Sequence, residues 1–251
     1  MAPTAEEKPR RALPEWLQVP WRARDLWLFA AGWLGIPVVV VLGLRELAPY
    51  VPAVAQFLKS AANETNVYSL FALDLLDAVA GFGMVAFFLR RYKVGWSAAG
   101  WRRVNPARAV WYLFCGALLF YGSFYLLSEL IIHLIPAYNA NQPQSNEFIG
   151  QVTSHRTITL VALVFLPPVL EETIFRGFMF PAFAKRTGVV WGAIISSAIF
   201  GIAHLQPNLF VYTFPLGLVL CWMYTRLGST IPGMFLHMLN NYVAFWALSQ
   251  K

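Results

Sequence analysis

Seven long apolar stretches run through this chain, and each approaches the roughly 20 residues that a helix needs to cross a lipid bilayer. Backbone polar groups inside hydrocarbon must be paired within the chain, which leaves helices and closed barrels as the spanning structures. The sequence therefore predicts an all-α fold, a polytopic transmembrane helical bundle of about seven spans. The predicted spans are residues 26–44, 66–89, 109–136, 157–181, 188–206, 208–226 and 230–249.

The composition also indicates an integral membrane protein. Of the 251 residues, 58% are hydrophobic and 12% are charged, whereas about a quarter of a typical soluble domain is charged. The length suggests one domain. The net charge of +7 could indicate a nucleic-acid partner, but in a membrane protein it more often reflects basic cytosolic loops beside anionic lipid. We therefore expect the lipid bilayer, and no nucleic acid, as a partner.

The basic residues alternate between the two sides of the predicted bundle. One side carries few of them, mixed with acidic residues, so the positive-inside rule places the N-terminus in the cytosol and the C-terminus outside. The run 26–44 is too long for a typical signal peptide and is interpreted as an anchor. The polar stretch 137–156 is the longest loop predicted outside the cytosol and a candidate lid. The basic residues of the predicted cytosolic loops are Arg90, Arg91, Lys93, Arg102, Arg103, Arg108, Lys185, Arg186 and Arg226.

Two adjacent glutamates lie in the fourth predicted span. Ionisable groups are costly inside hydrocarbon and usually mark a functional site. Successive helical residues are about 100° apart, so Glu171 and Glu172 are expected to point in different directions. Glu172 and Arg176 share a face and can form an ion pair, which leaves Glu171 without a partner and suited to act as a general base. Because proline is tolerated in a first helical turn, a helix is expected to restart near Pro168. The alternative is a neutralised charge cluster at a membrane interface.

Two histidines follow in later apolar spans. Phe200 and His204 are four residues apart, which stacks the phenyl ring beside the imidazole on one helix face. His237 and Asn241 have the same spacing in the last span, where both are costly unless they line a cavity. Each pair also has a simpler interpretation, since a histidine near a helix end is often interfacial and an asparagine in a span often bonds to another helix.

Other polar residues in the spans carry a weaker signal. Asp74 and Asp77 in the second span form a competing polar site, which we interpret as structural. His133 and His155 fall near the outer end of the third span and in the outer loop. A carboxylate, two imidazoles and an amide in the last third of the chain are what water-activating hydrolysis requires, so this combination is the candidate site.

These residues also carry a family resemblance. Glu171-Glu172-x-x-x-Arg176, Phe200-x-x-x-His204 and His237-x-x-x-Asn241 resemble the three motifs of the CAAX prenyl protease and bacteriocin-processing family (CPBP, abortive-infection-like) of intramembrane proteases, in its bacterial branch. The flanking residues match as well, and the resemblance covers about residues 110–249. Three motifs in order are specific, although any one alone would be weak.

The resemblance implies an intramembrane endopeptidase that cuts a membrane-associated protein or peptide, including prenylated CAAX-type substrates. It assigns water activation to Glu171 and His204. His237 and Asn241 would stabilise the oxyanion of the tetrahedral intermediate. Glu172, Arg176 and Phe200 would be supporting residues.

The resemblance leaves the metal open. Glu171, His204 and His237 could serve as a three-ligand zinc set, but the same residues act without metal if Glu171 is the base. We favour the metal-free interpretation, with no obligatory cofactor. Counting about 1.5 Å per residue along each span puts His204 nearer the outer face than the other site residues. The site therefore requires helix tilt or a fifth span that continues past Gln206.

The same interpretation gives the domain organisation. It divides the chain into a cytosolic polar tail (1–24), N-terminal helices without a recognised motif (25–106) and a CAAX-protease-like catalytic core (107–251). The alternatives are a non-catalytic scaffold or bacteriocin-immunity protein of the same family, and a small transporter, which would more often show two symmetric halves. We expect a bacterial plasma membrane protein and leave its oligomeric state open.

Overall fold

The structure is a computed structural model that describes residues 12–63, 66–134, 150 and 154–250. Asn139, Asn141, Gln142, Pro143 and Gln144 of the predicted lid lie outside these residues, as does the start of the polar tail. Every regular element in the described part of the chain is helical. The eight long helices are α1 Asp25–Leu47, α2 Pro52–Ala62, α3 Val67–Arg91, α4 Pro106–Leu134, α5 Arg156–Thr187, α6 Val189–Ala203, α7 Pro207–Leu227 and α8 Ile231–Leu248.

The predicted all-α transmembrane bundle is confirmed, with a helix in each of the seven predicted spans. By length and composition, α1, α3, α4, α5 and α7 can each cross a membrane. Helix α6 is apolar but has 15 residues, and α8 has 18 residues that include polar site residues. Large apolar side chains point outward, among them Trp27 at 80%, Val39 at 69% and Leu126 at 68% exposure. Lipid is the solvent that suits such a surface, and the chain is an integral membrane protein.

Helix α2 was not predicted. It has 11 residues, about half of what a span requires, and it links the ends of α1 and α3. Its polar residues, including Gln56 and Lys59, interrupt the apolar pattern, so a search for long apolar stretches does not find it. This helix therefore does not change the count of spans.

Helix α5 is central to the packing. Phe178 stacks on Trp21 and on Phe29, each with ring centroids 4.6 Å apart. Trp21 donates from Nε1 to the Phe178 carbonyl at 2.8 Å. Trp21, which precedes α1, and Phe29 of α1 thus pack directly on α5. Both belong to one buried cluster with Phe88 of α3 and Phe200 of α6.

Two π-helical segments, Leu160–Phe165 and Glu172–Met179, lie within α5. Their wider turns expose backbone carbonyls to donors on neighbouring elements. Ser196 of α6 donates to the Phe175 carbonyl at 3.1 Å, as Trp21 does to Phe178 in the same segment. The π segments therefore bind α5 to its neighbours through side chain to backbone hydrogen bonds.

The connection between α3 and α4 folds back against the bundle. Thr230 donates its backbone N–H to the Gly100 carbonyl at 2.9 Å, and Trp101 donates from Nε1 to Thr173 Oγ1 at 3.1 Å. A Cβ on Gly177 would lie 2.1 Å from the Ala99 carbonyl oxygen, so only glycine permits this approach. The loop thereby contacts α5 one residue after the paired glutamates.

Candidate active site

The ion pair predicted between Glu172 and Arg176 is present. Arg176 Nη1 lies 2.7 Å from Glu172 Oε1, and each side chain is 1% exposed. The guanidinium carbon lies 4.3 Å from the centre of the Phe200 ring, which adds a cation–π contact to the charge pair. Buried charges of this kind are tolerated when they are paired. Glu172 and Arg176 therefore form an ion pair without net charge that is buried from water and supports the site.

His237 lies between the two glutamates. Its Nδ1 is 3.3 Å from Glu172 Oε1, and its Nε2 is 3.6 Å from Glu171 Oε2. The two glutamates thus meet opposite nitrogens of one imidazole, a contact that the sequence did not predict. The two nitrogens of an imidazole lie on different sides of the ring, so one histidine meets two long side chains that leave the helix at different angles. A π turn also begins at Glu172, where the regular 100° step no longer holds.

The two glutamates differ in exposure. The Glu171 side chain is 22% exposed, and its partner within ion-pair distance in the described part of the chain is His237. Glu172 is 1% exposed and contacts both Arg176 and His237. The accessible carboxylate is thus the one without a cationic arginine.

An α-helical stretch does begin beside Pro168, as predicted. It runs from Leu166 to Glu171, follows the π segment Leu160–Phe165 and carries both prolines in its first turn. No gap separates it from the rest of α5, which is helical from Arg156 to Thr187, so the glutamates lie inside a continuous helix and not at an electropositive end. Pro167 and Pro168 have no N–H to donate to the carbonyls one turn earlier, so that turn needs other donors.

Asn241 supplies one of these donors. Its Nδ2 donates to the Leu163 carbonyl at 2.9 Å, which lies one turn before the prolines. Its Oδ1 accepts from Asn240 Nδ2 at 3.3 Å, and Asn240 in turn accepts a hydrogen bond from the Tyr212 hydroxyl. Asn241 therefore holds α8 against α5, and one N–H of its amide remains for another partner. The sequence offered Asn240 or Asn241 as a residue that hydrogen-bonds to another helix, which Asn240 does, but it gave no signal for Tyr212 as the partner.

His204 lies at the C-terminal end of α6. The helix ends at Ala203 and does not continue past Gln206. The predicted stacking is present, because the rings of Phe200 and His204 are 5.0 Å apart and nearly perpendicular. His204 Nδ1 lies 2.9 Å from the Phe200 carbonyl. A carbonyl only accepts, so Nδ1 carries the proton and Nε2 presents its lone pair.

The Phe200 ring separates the two histidines. It lies 5.0 Å from His204 and 5.7 Å from His237, edge to face with both. Within the described residues, no hydrogen bond or ion pair joins His204 to Glu171. The structure thus brings Glu171, Glu172 and His237 into direct contact and places His204 one aromatic ring away.

Asp74 and Asp77 lie on the side of α3 that faces the site. Both interact electrostatically with Glu171. A Cβ on Gly81 would lie 2.7 Å from a Leu170 methyl carbon, so the glycine lets α3 approach α5 at this level. The sequence presented these aspartates as a separate polar site. The glycine one turn after Asp77 was the signal that the two helices come close.

The metal-ligating residues do not form a complete set. Among the described residues, no three His, Cys, Asp or Glu side chains are grouped closely enough to hold a metal ion. Glu171 Oε2 and His237 Nε2 are 3.6 Å apart, a separation that two ligands about 2.0–2.2 Å from one zinc could have. His204 does not join them, so the predicted three-ligand set is not assembled in this arrangement.

Comparison with known proteins gives the family. The family model described as type II CAAX prenyl endopeptidase Rce1-like matches residues 153–243. That range contains all four predicted catalytic residues: Glu171, His204, His237 and Asn241. This segment belongs to the Rce1-like family. The family predicted from the three motifs is thereby confirmed, and the Rce1-like segment comprises α5, α6 and α7 together with most of α8.

Two bacterial proteins are similar to the chain. A Bacillus subtilis (strain 168) protein named "Putative membrane peptidase YdiL" is 29% identical over 109 residues, which are 43% of this chain and 44% of that protein. An Escherichia coli protein named "Uncharacterized 24.3 kDa protein" is 37% identical over 86 residues, which are 32% of this chain and 40% of that protein. The matched segment thus spans less than half the length of each relative. No solved structure matches the chain.

Proposed function

We propose that this protein is an intramembrane endopeptidase that hydrolyses a peptide bond of a membrane-associated protein or peptide through an activated water. The contrast between the two glutamates carries the proposal. Glu171 is 22% exposed and has no arginine within ion-pair distance among the described residues, whereas Glu172 is buried against Arg176. A general base must be reachable by substrate and free to accept a proton, and Glu171 meets both conditions.

The gap between Glu171 and His237 suits a water molecule. The hydrogen bond to Glu172 places the proton of a neutral His237 on Nδ1, so Nε2 and the ionised Glu171 carboxylate are both acceptors. They face each other at 3.6 Å, longer than a normal hydrogen bond. A water between them would donate to both, which polarises it toward attack on a carbonyl carbon.

The remaining roles follow the family pattern and this chemistry. His204, with its lone pair on Nε2, would assist Glu171 in taking the proton from the attacking water. Asn241 would use its second N–H to stabilise the oxyanion. The oxyanion role that the family pattern gives to His237 requires a proton on Nε2, which the imidazole gains if it takes a proton from the water together with Glu171. Preorganised donors of this kind strengthen as charge develops in the transition state. Prenylated CAAX-type proteins are the substrate class to which the family's description points.

A cleavage assay tests the proposal. The purified full chain in lipid nanodiscs is mixed with labelled membrane-anchored peptides, prenylated and unprenylated, and Glu171→Gln is compared with wild type. Loss of a general base lowers turnover by about 100-fold or more. The matched control is Glu129→Gln, an exposed glutamate on α4, which should cleave at the wild-type rate.

Two results would contradict the proposal. Cleavage by Glu171→Gln at a rate close to wild type would remove Glu171 from the chemistry. A folded wild-type protein that retains the peptides but cuts none would favour the non-catalytic scaffold or immunity protein.

A further inference from the structure

Two adjoining cavities lie where α1, α5 and α6 meet, at the end of the bundle that carries most of the basic residues. The first has a volume of about 400 Å³ and is lined by Arg22, Arg24, Lys185 and Arg186 with two alanines. The second has a volume of about 550 Å³ and a mainly apolar lining. The two cavities share Ala23, Arg24 and Arg186, so they adjoin. Together they are called the groove below, with a basic end and an apolar end.

The basic end has an excess of positive charge. Its four cationic side chains are exposed, no carboxylate lines either cavity, and none of the four is in an ion pair within the described residues. Lys185 donates to the Val19 carbonyl at 3.0 Å, which fixes its position and leaves its charge unpaired. An anion is therefore the complementary ligand.

Asp25, the acidic residue that follows Arg24 in the sequence, already accepts hydrogen bonds from other groups. Asp25 Oδ2 accepts from the Tyr92 hydroxyl at 2.6 Å and from the backbone N–H of Arg22 at 2.8 Å. The hydrogen bond between Tyr92 and Asp25 raises the pKa of the Tyr92 hydroxyl. Asp25 interacts with Arg24 and offsets at most one of the four positive charges.

The apolar end faces lipid. It runs along α1, α5 and α6 past side chains that include Trp27, Ala30, Phe183 and Ile199. Trp27 is 80% exposed, and indole rings of this kind prefer the boundary between headgroups and acyl chains. A ligand that fills both ends must carry a negative headgroup on a hydrocarbon chain.

We propose that this groove binds one anionic phospholipid of the surrounding leaflet. The phosphate would lie among Arg22, Arg24, Lys185 and Arg186, because guanidinium groups bind phosphate oxygens in pairs. One acyl chain would follow the apolar end past Ala30. Basic pockets between transmembrane helices are suited to anionic headgroups. The bound lipid would join α1 to α5 and α6, and its binding does not depend on the proposed catalysis.

Native mass spectrometry of the full chain tests the proposal. The protein is reconstituted in nanodiscs of phosphatidylcholine with increasing phosphatidylglycerol, and the retained lipid is counted. We expect one phosphatidylglycerol retained in preference to phosphatidylcholine. Arg24→Gln and Arg186→Gln should each weaken retention by about fivefold, and the two together should weaken it further. Ala30→Trp should weaken it with all four cations intact.

Three comparisons make the result specific. Arg90→Gln with Arg103→Gln removes the same charge from exposed positions outside the groove and should leave retention unchanged. Arg24→Lys with Arg186→Lys keeps the charge and should restore most of the retention. Each variant's melting temperature in pure phosphatidylcholine identifies unfolded protein, and the single variants Arg24→Gln and Arg186→Gln replace the glutamine pair as the measured variants if the pair unfolds.

Several results would overturn the proposal. Equal retention of the two lipids would show that the groove does not select an anionic headgroup. An equal loss in the Arg90 and Arg103 control would mean that the net charge alone attracts the lipid. Complete displacement by millimolar inorganic phosphate, with Ala30→Trp unaffected, would assign the basic end to a small free anion instead of a lipid.

Discussion

Glu171 and Glu172 are chemically identical neighbours that the fold separates by environment. One is buried against a guanidinium, and the other reaches a partly exposed position beside an imidazole. The i,i+4 spacing was sufficient to predict the ion pair of Glu172 with Arg176, because that contact is local to one helix. The meeting of both glutamates at His237 depends on how α8 packs against α5, and no local rule specifies that packing.

The ion pair predicts a stability difference between the two glutamates. Removing one partner of a buried pair costs roughly 3–5 kcal/mol, so Glu172→Gln and Arg176→Ala should lower the melting temperature in detergent and the amount of protein in the membrane. Glu171→Gln should leave both close to wild type, since its side chain is partly exposed and has no arginine partner. Thermal unfolding of all three variants measures this. A stable Glu172→Gln beside an unstable Glu171→Gln would reverse the roles.

Metal dependence is a second prediction at this scale. The separation of His204 from Glu171 and His237 leaves two ligands in contact where zinc needs at least three from the protein. We expect purified active protein to contain well under one zinc per chain and to keep its activity in chelators. Elemental analysis, together with activity before and after chelation, measures this. One zinc per chain, with activity lost on chelation and restored by zinc, would show that the metal-dependent interpretation is right.

The geometry of α5 is the main feature of the element scale. Hydropathy predicted a span at 157–181. The residues of the first π segment, Leu160–Phe165, are all apolar, so they have no periodicity that could distinguish an α turn from a π turn. The prolines predicted that a helix restarts near Pro168, and an α-helical stretch does begin at Leu166. The π segment before it and the hydrogen bond from α8 to the Leu163 carbonyl are a tertiary solution that the local sequence does not contain.

This solution predicts coupling between Asn241 and the prolines. Asn241→Ala removes the donor to the Leu163 carbonyl and should lower stability by about 1 kcal/mol. In a chain with Pro167→Ala and Pro168→Ala, backbone N–H groups return to that turn and the same change should cost less. A double-mutant cycle from thermal or denaturant unfolding gives the coupling. Equal costs in the two backgrounds would mean that Asn241 does not satisfy the orphaned carbonyl.

At the scale of the whole molecule, the helices of the seven predicted spans were predictable to within a few residues, since length and hydropathy define an apolar helix. Five of them are long and apolar enough to cross a membrane. The predicted 66–89 and the observed Val67–Arg91 show the agreement. The tertiary role of the N-terminal helices was not predictable. They carry no motif, yet Phe29 and Phe88 pack on Phe178 of the Rce1-like segment, through contacts between residues far apart in sequence.

The orientation of the bundle is a prediction that belongs to this scale. Reporter fusions after Lys93 and Arg186 should be cytosolic, and a fusion near Asn141 should be external, because the basic loops lie at one end. Paired reporters that are active on opposite sides of the membrane measure each position. A cytosolic signal at Asn141 would overturn the span count, and inversion of all three would overturn the orientation.

The π segment Leu160–Phe165 determines where this gene can lose a codon. A π turn closes its hydrogen bond over one residue more than an α turn, so it holds the equivalent of a single inserted codon within a regular helix. Deleting one codon there would let that turn become α-helical and would keep the residues beyond it close to their present direction. Deleting one codon from the α-helical stretch before Glu171 would instead turn the two sides of the deletion by about 100° relative to each other, which takes Glu171 away from His237 although no site residue has been changed. Two in-frame deletions a few residues apart, which hydropathy would score alike, should therefore differ in their effect on function.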